Sequence, residues 1–213
     1  MSITTRLRRP GWIAMTVMAT LVALASARYF TLNPATFIPN QVQTYLANLG
    51  PLLLHVGGGV VALAVGPWQL WTGLRTRRPA VHRSLGRVYV AAVLAAAAGG
   101  LLLAPLSQGG PVAHLAFATG AVGLLLVTGM GFLSIRRRRI AAHRAWMVRS
   151  YALIFAAVTF RLWLGVLTAM GLPFQQVYAS GAWAVWFIDL FVAEALLGVG
   201  AAAAAGRAAV RSA

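Results

Sequence analysis

The sequence contains no cysteine. Disulfides, cysteine-ligated zinc, iron–sulfur clusters and thiol catalysis are therefore excluded. Lysine is absent as well, so all 18 basic residues are arginine and no Schiff-base lysine exists. Acids are nearly missing: Asp189 and Glu194 are the two in the chain. With so few carboxylates, and no serine near a histidine–acid pair, a hydrolytic dyad or triad finds no support. Charged residues amount to 9% of 213, too few to cover a soluble domain of that length.

The chain is instead apolar, with 60% hydrophobic residues. Six stretches are long enough to cross a bilayer as helices, at about 11–31, 51–73, 82–105, 112–134, 146–170 and 181–204. This composition predicts an all-α, polytopic membrane protein, a single domain over 1–213 with six transmembrane helices. The opening MSITTRLRRP resembles the charged start of a signal peptide. The apolar run after it is too long for one and shows no small-residue cleavage site, which predicts a retained span.

The arginines predict the orientation. Arg6, Arg8 and Arg9 precede the first span; Arg75, Arg77, Arg78 and Arg83 lie between the second and third. Arg136, Arg137, Arg138, Arg139 and Arg144 lie between the fourth and fifth, and Arg207 and Arg211 follow the sixth. The connections 32–50, 106–111 and 171–180 carry no charge. Arginine on alternate loops places both termini in the cytoplasm of a cytoplasmic-membrane protein. The net charge of +16 then reflects topology and gives no reason to expect nucleic acid. Trp68, Trp71 and Trp146 suit one interfacial belt, and Trp183, Trp186 and Tyr178 the other.

An internal repeat follows. The stretch from His55 to Tyr89 resembles that from His114 to Tyr151: each starts with a histidine early in a span and crosses the bilayer. Each then meets an arginine cluster and reaches a His-Arg pair, His82-Arg83 or His143-Arg144. Two related hairpins predict a four-helix core of spans 2–5, flanked by spans 1 and 6. Gly57, Gly58, Gly59, Gly99, Gly100, Gly120 and Gly123 would allow close approach within it.

All four histidines fall about one turn inside a span's start. Topology sorts them into an outer pair, His55 with His114, and an inner pair, His82 with His143. Each pair could hold one haem iron between two imidazoles. Arg83, Arg87, Arg144 and Arg149 beside the inner pair would suit haem propionates. The competing structural explanation is that the His-Arg pairs snorkel to lipid phosphates. Within the spans, Arg161 and Asp189 count to matching depths on adjacent helices, which predicts a structural ion pair. Glu194 would meet Arg149 or Arg87, or be protonated.

The stretches HVGGGVVALAVGPWQL at 55–70, HRSLGRVYV at 82–90 and HRAWMVRSYALIFAAVTFRLWL at 143–164 resemble the domain of unknown function 2306, a bacterial membrane-protein family. That resemblance implies signature positions at His55, Gly66, Pro67, His82, Arg83, Gly86, Arg87, His143, Arg144, Met147, Arg149, Arg161 and Leu162. It implies no activity. In architecture alone the layout is also similar to the cytochrome b561 family. That similarity implies bis-histidine haem b sites with ligands from helices 2 and 4 and from helices 3 and 5. The leading expectation is therefore a b-type haem protein that passes electrons from a quinol or small reductant. The alternatives are a non-enzymatic carrier or lipid- or anion-binding membrane protein, or a structural subunit, with no cofactor.

Overall fold

The computed structural model describes the backbone of residues 3–212 and the side chains of residues 9–199 and 202. The side chains of Arg6, Arg8, Arg207 and Arg211, used above for orientation, lie outside that range. The elements are α1 (Ile3–Ala27), α2 (Val42–Ala47), α3 (Leu49–Leu70), α4 (Thr72–Arg77), α5 (Pro79–Leu103), α6 (Gly110–Arg136), α7 (Ile140–Ala169) and α8 (Phe174–Ser212). No strand occurs among the described residues. Helices α1, α3, α5, α6, α7 and α8 are long and apolar enough to span a membrane, six in all.

Prolines mark the starts of α5 and α6, at Pro79 and Pro111, where a missing N–H costs no helical bond. Four helices begin well before their apolar runs suggest: α1 at Ile3, α5 at Pro79, α7 at Ile140 and α8 at Phe174. Residues such as Arg144, Gln175 and Gln176 are good or tolerable helix formers, so the helix outlasts the oily stretch. An apolar run marks what lipid can cover, not where the hydrogen-bonded ladder stops.

Helices α3, α5, α6 and α7 form the packed core, with α1 against α3 and α8 against α7 and α6. The tightest seam joins α3 to α5. A Cβ on Gly58 would strike Ala92 O and Ala96 N, and one on Gly99 would sit 2.5 Å from His55 N and Pro51 O. These two glycines hold the close backbone approach. Gly57, Gly120 and Gly123 meet side chains at ordinary distances, and Gly59 meets nothing within 4 Å. At the bundle's centre Tyr89 is 1% exposed and its hydroxyl shares a hydrogen bond with Ser150 at 3.0 Å. Ser150 also bonds Thr128 at 2.8 Å, so α5, α6 and α7 are tied at one level. Trp12 Nε1 donates to Pro67 O at 2.9 Å, a carbonyl of α3, and ties α1 on.

A cavity at the tyrosine-lined end and a basic cluster at the other

The loops following α3 and α6 carry the arginine clusters, so one end of the bundle is arginine-rich. At the opposite end a cavity of about 520 Å³ opens inside the bundle. That volume lies within the roughly 300–1,000 Å³ of small-molecule sites. Its deep wall is apolar, built from Leu63, Ala97, Leu124 and Ile154. Small residues (Gly59, Ala96, Gly100, Ala116, Gly120, Ala157) leave the space, because the helices contribute almost no side chain there. Aromatic groups flank it on two sides. Tyr29 stacks on Phe37 and both meet Tyr45 edge-on in one group, and Phe117, Phe160 and Tyr178 form the other.

The segment between α1 and α3 caps this end. It consists of short 3-10 turns at Arg28–Thr31, Pro34–Thr36 and Pro39–Gln41, followed by α2. Prolines and Asn33, whose side chain accepts from Ala35 N, break the helix into these turns. The cap brings Arg28, Tyr29, Gln41 and Tyr45 to the cavity. Burial pushes the Tyr45 phenol well above its ordinary pKa, with Tyr29 and Tyr178 adding to the rise against a lesser pull from Arg161. Tyr45 is thus held neutral, as a donor. Gln41 is 2% exposed and its Oε1 has no hydrogen-bond partner.

A histidine and an arginine reach the cavity from the spanning helices. His55 stands against Gly99 and Gly100 of α5, and its Nδ1 bonds Ala96 O at 2.8 Å. With that bond made by an Nδ1–H, Nε2 is left as the open nitrogen. Arg161 of α7 donates from Nη2 to Ser26 Oγ at 2.9 Å and from Nη1 to Ala157 O at 2.8 Å. No carboxylate lines the cavity.

These contacts correct the expected Arg161–Asp189 pair, which is not formed. Asp189 accepts from Thr159 Oγ1 at 2.9 Å instead. Thr159 is two residues from Arg161, and two helical residues turn a side chain by about 200°. Asp189 also lies deeper than counted, because α8 begins at Phe174 rather than near 181. The ion pair among the described residues is Arg149–Glu194, bidentate at 2.5 and 2.9 Å. Arg149 is thereby taken up by a carboxylate of the chain itself.

The outer histidine pair is not assembled either. His114 uses Nε2 to bond Ser107 O at 2.9 Å, and it lines a separate, shallow recess with Leu101, Pro105 and Pro111. On α6 it is Ala116, Phe117, Gly120 and Leu124 that face the large cavity. A haem held between His55 and His114 does not fit this arrangement. Trp186 and Tyr178, expected in an interfacial belt, also turn inward and line the cavity.

The inner pair is better placed. Helices α5 and α7 run in the same direction and meet at the Tyr89–Ser150 bond. His82 lies seven residues before Tyr89 and His143 seven before Ser150, nearly two turns back on the same faces. His143 Nδ1 bonds Gly131 O at 2.9 Å, while His82 Nδ1 is buried without a partner. Arg83, Arg87 and Arg144 are exposed at this end. No cluster of three or more metal-ligating side chains occurs among the described residues.

Sequence reasoning missed Ser26, Arg28, Tyr29, Gln41 and Tyr45. For Gln41 and Tyr45 the signal available was the length of the 32–50 connection, long for a plain loop and rich in turn formers.

Residues 52–197 match the family model described as a predicted membrane protein, DUF2306. No curated protein and no solved structure matches the chain. The likeness to the cytochrome b561 family receives no support from these comparisons.

Proposed function

The chain belongs to the DUF2306 family of predicted membrane proteins, and from that premise we propose that it binds and carries an amphipathic molecule with an anionic head. One observation carries this reading: Arg161 lies within a span, lines the cavity and has no carboxylate partner there. An uncompensated arginine deep in a bilayer costs about 2.5–3.5 kcal/mol on insertion scales. A carboxylate, sulfonate or phosphate head would offset that cost through charge-assisted bonds to the guanidinium. Tyr45 adds a neutral donor, and Gln41 Oε1 adds an acceptor for a hydroxyl on the same head. The apolar tail would run down toward Leu63, Leu124 and Ile154. The arginine-rich end would face the cytoplasm under the positive-inside rule, which opens the cavity toward the outer leaflet of a cytoplasmic membrane.

Native mass spectrometry of the purified full chain tests this. An anionic amphiphile should co-purify with the wild type and be lost from Arg161→Gln. A wild-type protein that emerges empty from several membrane extracts, or a variant that keeps the same ligand, argues against it.

The second reading is b-type haem with transmembrane electron transfer to or from a quinol or small reductant. Its support is the open Nε2 of His55 in a cavity lined by small residues, and the inner pair of His82 and His143. The outer bis-histidine site has to be given up. A dithionite-reduced spectrum of protein expressed with supplied haem decides: a Soret band sustains this reading, and a colourless preparation removes it.

A further inference from the structure

The arginine-rich end carries a second set of unsatisfied donors, away from the cavity. Gln69 closes α3 and reaches Gly86 of α5, where a Cβ would lie 3.3 Å from its Oε1. Gly86 is one turn beyond His82, so Gln69 and His82 share one corner of the bundle. Gln69 Nε2 and His82 Nδ1 are both buried, and neither has a hydrogen-bond partner. His143 of α7 is near enough to His82 to act on its charge, and its own Nδ1 is held by Gly131 O. Arg75, on the short helix α4 just after α3, lies close enough to Arg144 for the two charges to repel. The one acid of this half, Glu194, is committed to Arg149.

Polar groups reach this corner from α3, α4 and α5: the Gln69 amide and the His82 ring nitrogen have no partner in the chain, and Arg75 reaches only Thr72 Oγ1 at 3.5 Å. Buried donors left alone cost free energy unless something accepts from them. Snorkelling to the membrane surface explains exposed arginines such as Arg83 and Arg144. It does not explain a buried amide and a buried imidazole nitrogen. We infer that Gln69, His82 and Arg75 form a site for a phosphate-class anion at the arginine-rich end. The anion is either a free phosphate or a lipid phosphodiester head. The site is independent of the cavity and of its Arg161.

Thermal unfolding of the full-length protein tests the inference with two probes. Inorganic phosphate is titrated against chloride at matched ionic strength in detergent. Separately, nanodiscs of phosphatidylglycerol are compared with nanodiscs of phosphatidylcholine. Stabilisation by inorganic phosphate identifies a small-anion site; stabilisation by phosphatidylglycerol alone identifies a lipid-head site. In either case Gln69→Leu and Arg75→Gln should each weaken apparent affinity about tenfold, the size of one charge-assisted hydrogen bond. A response that both variants keep and Arg161→Gln loses belongs to the cavity and overturns the inference. The inference is overturned if neither probe stabilises the wild type, or if both variants respond as the wild type does. A reduced-haem spectrum that disappears in His82→Gln also overturns it, because those rings would then hold a metal.

Discussion

Adding one methyl group at Gly58 should loosen the α3–α5 seam. The built Cβ collides with Ala92 O and Ala96 N and lies 2.9 Å from Ala96 Cα. These are helix backbone atoms, which cannot swing aside. Restoring ordinary carbon contacts near 3.5–4.0 Å requires the helices to part by about 1 Å. In a bilayer that loss falls on the interaction that holds helices together, since lipid tails are as apolar as the side chains. Overpacking of this kind costs about 1–3 kcal/mol. The His55 Nδ1 bond to Ala96 O, 2.8 Å at present, stretches with the same movement. Its loss adds about 1 kcal/mol, giving a total of about 2–4 kcal/mol. Reversible unfolding in mixed micelles measures the difference. Gly129→Ala is the reference, because nothing lies within 4 Å of a Cβ there. Gly58→Ala combined with Gly99→Ala should cost less than the two singles added, since each parts the same pair of helices. If Gly58→Ala unfolds within about 0.5 kcal/mol of Gly129→Ala, the packing argument is wrong.

Other substitutions probe other joints. Ser150→Ala removes a hydroxyl that is 0% exposed and bonded to both Tyr89 and Thr128, and should destabilise by about 1–3 kcal/mol in the same unfolding assay. Asp189→Asn should stay within about 1 kcal/mol of wild type, because an amide oxygen can still accept from Thr159. A loss of several kcal/mol there would restore a charged clasp that the contacts do not show. Thr159→Val should instead cost about 1 kcal/mol, by leaving the Asp189 carboxylate without its donor.

The six spans and the four-helix core were legible because hydrophobic length and arginine placement are strong, local signals. Helix ends were not, since Gln175, Gln176 and Arg144 extend helices beyond the oily runs. That error propagated to Asp189, whose depth was counted from the wrong start. Depth also says nothing about rotation, and Thr159 and Arg161 point to opposite sides of α7. Tyr89 and Tyr151, which close the two units of the repeat, are both buried in the core. The repeat misled over His55 and His114, because the one packs on Gly99 and Gly100 and the other folds back to Ser107. No pattern of types and spacings could show that the 28–48 segment folds over the bundle. The partner of Glu194 was among the expected options, Arg149, because an intramembrane acid has few cations within reach.

The direct test of an anion-recognising cavity is a comparison of two ligands that differ in charge alone. The affinities of the wild type and of Arg161→Gln for a long-chain fatty acid and for its methyl ester can be measured by calorimetry in detergent. The account predicts that the wild type binds the acid at least about tenfold more tightly than the ester, and that Arg161→Gln abolishes this preference. Equal binding of acid and ester by the wild type, or a preference that survives in Arg161→Gln, would contradict it.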